Sequence, residues 1–129
     1  MTRDIIATTN APGAVGPYSQ GIRTEQFVYT AGQVPLDPAT GTLVTGSIED
    51  QTRRALENVK AVLEAAGTGL DRAVKMTVFM TNLGDFKRMN AVYAEFFSEA
   101  PPARSAFEVS ALPLGADIEI EAIALTNNS

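Results

Sequence analysis

Neither cysteine nor histidine occurs anywhere in the 129 residues. Their absence removes disulfide scaffolds, thiol nucleophiles, the Ser-His triad and every zinc site built from Cys and His. An S-x-x-K arrangement is missing as well, so covalent catalysis by serine has no support. No apolar run approaches the ~18 residues of a membrane span, and residues 1–12 lack the apolar core of a signal peptide, which makes the cytoplasm the expected location. Positive charge is in short supply: 10 Lys and Arg stand against 15 Asp and Glu, a formal net charge of −5. Such a surface repels nucleic acid and anionic membranes at long range, so neither is an expected partner. Internal repeats, heptads, phosphate loops and low-complexity segments are also absent. Carboxylate, guanidinium, phenol, hydroxyl and backbone amide are what remain for chemistry.

The length fits one domain over residues 1–129, able to bury roughly two thirds of its unfolded surface. Residues 3–9 form a short β-prone run, and Asn10-Ala11-Pro12-Gly13 reads as a turn. Gly16-Pro17 and Gly21 bracket Tyr18, whose phenol is either a packed edge aromatic or a donor placed at a pocket rim. Residues 26–31 read as a strand that Gly32 ends, either as a bulge or as a point of close approach. Residues 35–46, with two prolines and two glycines, read as an excursion with no packed role. Ser47 is an N-cap signal with Asp50 in the first turn. Ala55, Leu56, Val59, Val62, Leu63 and Ala66 then recur at helical spacing until Gly67, leaving Arg53, Arg54, Glu57 and Lys60 on a solvated face. Residues 73–81 predict a central strand, and Asn82 to Asp85 cap a second helix. Its stripe of Phe86, Met89, Val92, Tyr93, Phe96 and Phe97 reads as core, ended by Pro101-Pro102, and residues 127–129 as a frayed end.

Chemistry concentrates in residues 101–123. The proline pair opens an extended segment in which Arg104 shares a face with Ala106 and Glu108. After the turn at Leu112-Pro113-Leu114-Gly115, residues 117–125 alternate again. Ile118, Ile120, Ala122 and Ala124 take one face, and Glu119, Glu121, Ile123 and Leu125 the other. Taken alone, Arg104 reads as a surface ion-pair residue or a ligand contact, and the two glutamates as a solvated face or a site. The order of three strands, helix, strand, helix and two strands suits an α+β domain with a mixed sheet and two helices packed on one face. Val28, Ala31, Phe79, Ala106, Ile123 and Leu125 spread apolar character through both strand registers, which points to self-association.

Five segments in order resemble the RidA (YjgF/YER057c/UK114) family over nearly the whole chain. They are Asn10-Ala11-Pro12 with Gly16-Pro17-Tyr18-Ser19-Gln20-Gly21, Thr30-Ala31-Gly32-Gln33-Val34-Pro35, Asn58-Val59-Lys60 with Glu64-Ala65-Ala66-Gly67, Val74-Lys75-Met76-Thr77-Val78-Phe79, and Pro102-Ala103-Arg104-Ser105 through Ile118-Glu119-Ile120-Glu121. The resemblance implies a chorismate-mutase-like fold and a homotrimer with clefts at the subunit interfaces. It implies hydrolysis of reactive 2-imino acids, such as 2-iminobutanoate and 2-iminopropanoate, to 2-keto acids and ammonia. That reaction protects pyridoxal-phosphate enzymes and uses no metal or organic cofactor.

By the same resemblance, Arg104 corresponds to the arginine that holds the substrate carboxylate, Glu119 to the glutamate that positions water, and Tyr18 to the cleft tyrosine. Gly32 and Asn90 correspond to pocket-lining positions. Ala31 stands where many of these deaminases carry serine, and Ala106 where many carry cysteine. A non-catalytic trimer binding small carboxylates, or acting as a chaperone-like protein, is the alternative; an endoribonuclease fits the acidic, histidine-free composition less well.

Overall fold

Helix α1 (Ile48–Ala65) begins as its cap dictates: the Ser47 hydroxyl accepts a hydrogen bond from the Asp50 amide, with Glu49 and Asp50 supplying negative charge to the first turn. Beyond Ala66, Gly67 takes a φ of +85°, the left-handed conformation in which glycine ends helices. The stripe expected to face inward does so, and Ala55, Leu56, Val59, Val62 and Leu63 are fully buried. The computed structural model describes residues 2–127.

Around α1 the chain runs β1 (Asp4–Ile6), β2 (Gly21–Arg23), β3 (Phe27–Thr30), α1, β4 (Ala73–Met80), α2 (Phe86–Phe96), β5 (Ala103–Glu108) and β6 (Ile118–Leu125). This is the expected order. The strands form one mixed sheet, β1-β2-β3-β6-β4-β5, in which β4 and β5 run parallel and the other neighbours antiparallel. Both helices cover one face, closing a core of Met76, Val78, Met80, Ile118, Ile120 and Ala124 against Leu56, Val59, Leu63 and Met89. The result is a single α+β domain. β6 alternates along its whole length as its sequence requires, with Ile118 to Ala124 buried at even positions and Glu119 to Leu125 half-buried at odd ones. Among the described residues the opposite face of the sheet carries no helix, and Ile5, Tyr29 and Phe107 on it are 65%, 42% and 51% exposed.

Several local expectations are corrected. Strand β4 is interior but lies beside the edge; β6, between β3 and β4, holds the middle of the sheet. Helix α2 ends at Phe96, before the prolines, because Phe97 already leaves helical geometry at φ −133° and ψ 64°. Arg54 is only partly solvated: its side chain is 24% exposed, donates to Asn58 Oδ1 at 2.9 Å and pairs with Glu57. Asn127 is not frayed, since its side chain accepts from Arg23 Nη2 at 2.6 Å, while residues 128 and 129 lie outside the described part.

Nor is the excursion over residues 35–46 unpacked. Pro35 is buried, and fully buried Asn58 reaches from α1 to donate to the carbonyls of Val34 (3.1 Å) and Leu36 (2.8 Å). The Leu36 oxygen has no other donor among the described residues, whereas the Val34 oxygen also accepts from the Leu36 amide at 2.7 Å. Asn58→Ala is therefore expected to lower the unfolding free energy by about 1 to 3 kcal/mol, the cost of stranding the Leu36 acceptor. Urea denaturation measures it, and an unchanged midpoint would show that the excursion does not depend on Asn58.

Candidate functional site

Strand β5 lies parallel to β4 with Arg104 opposite Met76 and Ala106 opposite Val78, which puts both residues on the helix side of the sheet. There α2 presents Phe86, Asn90 and Tyr93, spaced i, i+4 and i+7 and so aligned on one helix face. Arg104 Nη1 donates to Asn90 Oδ1 at 2.7 Å. Its guanidinium carbon stands 4.7 Å from the Tyr93 ring centre and 5.3 Å from that of Phe86. Burial pushes the Tyr93 phenol up to about 12, opposed by the positive charge of Arg104, and its oxygen has no hydrogen-bond partner among the described residues. A cleft of about 470 Å³ opens here, lined by Leu83, Phe86, Arg104 and Ala106.

Glu119 belongs to the other side. It sits opposite Phe79 in the β4–β6 pairing, on the face away from the helices. Paired backbone bonds between Gln33 and Ile120, 2.8 and 3.0 Å, draw the segment after β3 alongside β6. Gly32 is then so close to Glu119 that a Cβ on it would lie 2.5 Å from the carboxylate Oε2. The close approach left open at Gly32 is thus by Glu119 itself. Buried Gln20 shapes the remaining wall: its amide donates to the carbonyls of Thr8, Ala11 and Pro12 and accepts from the Thr8 amide, folding the loop that carries Tyr18. The Tyr18 hydroxyl accepts from the Val15 amide at 3.3 Å. Tyr18, Gly32, Gln33, Leu114 and Glu119 are among the residues around a cleft of about 140 Å³. Half-buried Glu119 has its carboxyl held above the usual carboxylate range, first by desolvation and then by the charge of Glu121 two residues on.

Within one chain, therefore, Tyr18, Gly32 and Glu119 come together, and Arg104, Asn90 and Ala106 come together, but the two groups lie on opposite faces of the sheet. Ala31 precedes Gly32, donates its amide to the Gln20 carbonyl at 2.9 Å, and borders neither cleft. Phe86 and Tyr93 do more than fill the core, contrary to their reading as core alone, because they flank a guanidinium. The signal that could have found them is their i, i+4, i+7 register with Asn90. Among the described residues no cluster of three or more carboxylates stands close enough to hold a metal ion.

A family model described as endoribonuclease L-PSP matches residues 8–126. The chain belongs to this family. The L-PSP family, the group of the RidA and YjgF proteins, has members similar to this chain almost from end to end. A RutC family protein of Pyrococcus horikoshii is 55% identical over 122 residues, covering 95% of this chain and 97% of the relative. The mouse protein named 2-iminobutanoate/2-iminopropanoate deaminase is 44% identical over 125 residues, 97% of this chain and 93% of its own. Among solved structures, Escherichia coli TdcF with bound serine superimposes with a TM-score of 0.92 at 46% identity, over 96% of this chain and 99% of TdcF. The L-PSP family fold thus accounts for the whole described domain.

Proposed function

We propose that this protein hydrolyses 2-imino acids, or their enamine tautomers, to 2-keto acids and ammonia, in clefts shared by neighbouring subunits of a homotrimer. The observation that carries the reading is the separation of the two groups: among the described residues, a guanidinium without a carboxylate partner lies on one face of the sheet, and a desolvated carboxylate without a cationic partner lies on the other. A second copy, packing its helix-free face against the β5 edge of the first, would join them. The exposed Ile5, Tyr29 and Phe107 on that face give the packing an apolar driving force. The mouse deaminase and the serine-bound TdcF support a small amino-acid-derived ligand.

In this mechanism Arg104 binds the substrate carboxylate through parallel N–H donors, and the protonated imine carbon faces a water held by Glu119 of the partner subunit. Glu119 takes a proton from the water as the C–O bond forms, then passes it to the amine nitrogen. The C–N bond breaks as the carbinol hydroxyl loses its proton, releasing ammonia, which leaves as ammonium, and the keto acid. A protonated imine is already electrophilic, so orientation and a proton acceptor suffice, and neither histidine nor cysteine is needed. The substrates in this reading are 2-iminobutanoate and 2-iminopropanoate, the place of action is the cytoplasm, and the benefit falls to pyridoxal-phosphate enzymes. The family description raises RNA cleavage as a second reading. Against it stand the net charge of −5, the lack of histidine and the lack of a Lys/Arg cluster with interleaved aromatics.

An amino-acid oxidase or threonine dehydratase that generates the imine, with keto-acid release followed spectroscopically, tests the reaction. Acceleration by the protein is expected; binding of 2-ketobutyrate without acceleration would leave a carboxylate-binding module instead. Light scattering tests the assembly, and a monomer mass at micromolar concentration would remove the shared cleft.

A further inference from the structure

We infer that Phe86, Asn90 and Tyr93 form a charge-neutral cradle that orients the Arg104 guanidinium and leaves its positive charge uncompensated, so that positioning residues on α2 set the anion affinity of the cleft. The inference rests on the carboxylate-binding role proposed above for Arg104.

Three other arginines of the fold show what the cradle avoids, whereas Arg23 is, like Arg104, bonded to neutral oxygens, those of Ala66 and Asn127. Arg53 pairs with Asp50 and Glu95, Arg54 with Glu57, and Arg88 with Glu49 and Asp85. Arg104 has no such pair among the described residues; its partners are an amide oxygen at 2.7 Å and two aromatic rings at 4.7 and 5.3 Å. Amide oxygen and ring face both attract a cation, the first by its dipole and the second by its quadrupole, yet neither carries net charge. The unit charge of Arg104 is therefore not cancelled by its supports. Only Nη1 is engaged by Asn90, which leaves the other donors of the planar fork for the cleft that Arg104 lines with Leu83 and Ala106. Those neighbours are apolar, and Glu108, the carboxylate on the same face of β5, is engaged by the Leu83 amide at 2.8 Å. Since the buried Tyr93 hydroxyl bonds to nothing described, the ring and not the phenol oxygen is what Tyr93 contributes.

The test is calorimetric titration of 2-ketobutyrate into the full chain, its Asn90→Asp, Tyr93→Leu and Tyr93→Phe variants, with thermal unfolding of each. Asn90→Asp is nearly isosteric but supplies Arg104 with a carboxylate, and it is expected to weaken binding about 10- to 100-fold at an unchanged or higher melting temperature. A merely structural Asn90 would show no such split. Loss of the ring in Tyr93→Leu is expected to weaken binding about 3- to 10-fold, and Tyr93→Phe to recover it, as cation–π strengths imply. In turnover the same losses should fall on KM and not on kcat. Parent-like affinity of Asn90→Asp, or a Tyr93→Phe as weak as Tyr93→Leu, overturns the cradle; if one variant does not fold, the other comparison decides. A parent protein that binds 2-ketobutyrate but hydrolyses no imine overturns the proposed reaction and leaves the cradle standing. A parent that binds no 2-ketobutyrate overturns the cradle whatever its turnover.

Discussion

Replacing Glu119 by glutamine is expected to leave the fold and assembly intact while imine turnover falls by roughly 10² or more, the lower range for a general acid/base group. Glutamine keeps the shape that fits against Gly32 and an acceptor oxygen for water, but it cannot take up a proton. Glu121 is the internal control, because it shares the strand face two residues away and influences Glu119 through charge. Glu121→Gln is expected to change the maximal rate much less and to move the pH profile instead. The sign follows from the causes of the shift. The base works deprotonated, so activity rises with pH through the Glu119 pKa, which burial and Glu121 hold above the ordinary carboxylate range. Removing the Glu121 charge removes one of those upward pushes and moves the acidic limb to lower pH, while the desolvation contribution stays. Imine hydrolysis by both variants across pH, beside 2-ketobutyrate affinity and thermal stability, measures this. Parent-like activity of Glu119→Gln would end the water-positioning role and the mechanism with it.

Arg104→Lys is expected to reduce kcat/KM about 10- to 100-fold, since a charge-assisted hydrogen bond is worth roughly 1.5 to 3 kcal/mol and the swap loses at least one. The ammonium keeps the charge but cannot present two parallel donors to a carboxylate. It also gives up the guanidinium's contacts with the Phe86 and Tyr93 rings and alters the 2.7 Å bond to Asn90. Steady-state kinetics and 2-ketobutyrate titration on the variant check the effect. Unchanged kinetics would reduce Arg104 to a structural residue that ties β5 to α2.

Much of the domain was legible in the residues because the signals involved are local. The Ser47 cap, the stripe of α1 and the Gly67 stop lie within a few residues of what they control. The alternation of β6 says which side chains share a face wherever the strand is placed. The same period placed Arg104 with Ala106 and Glu119 with Glu121. Failures came where a distant partner decides. Asn58 ties down the excursion over residues 35–46 from 22 and 24 residues away, so composition alone made that stretch look loose. Tyr93 at a core spacing looks the same in sequence whether a methionine or a guanidinium lies against its ring.

By itself, then, the sequence determined the elements, their order and the residues on each face, since periods of 2 and 3.6 are properties of the chain's own backbone. Only the tertiary structure decided that Arg104 and Glu119 occupy opposite sides of the sheet. That relation depends on two long-range registers, Met76 beside Arg104 in the parallel β4–β5 pair and Phe79 beside Glu119 in the antiparallel β4–β6 pair. A shift of one residue in either would bring the two groups to the same face, because neighbouring positions on a strand point to opposite sides.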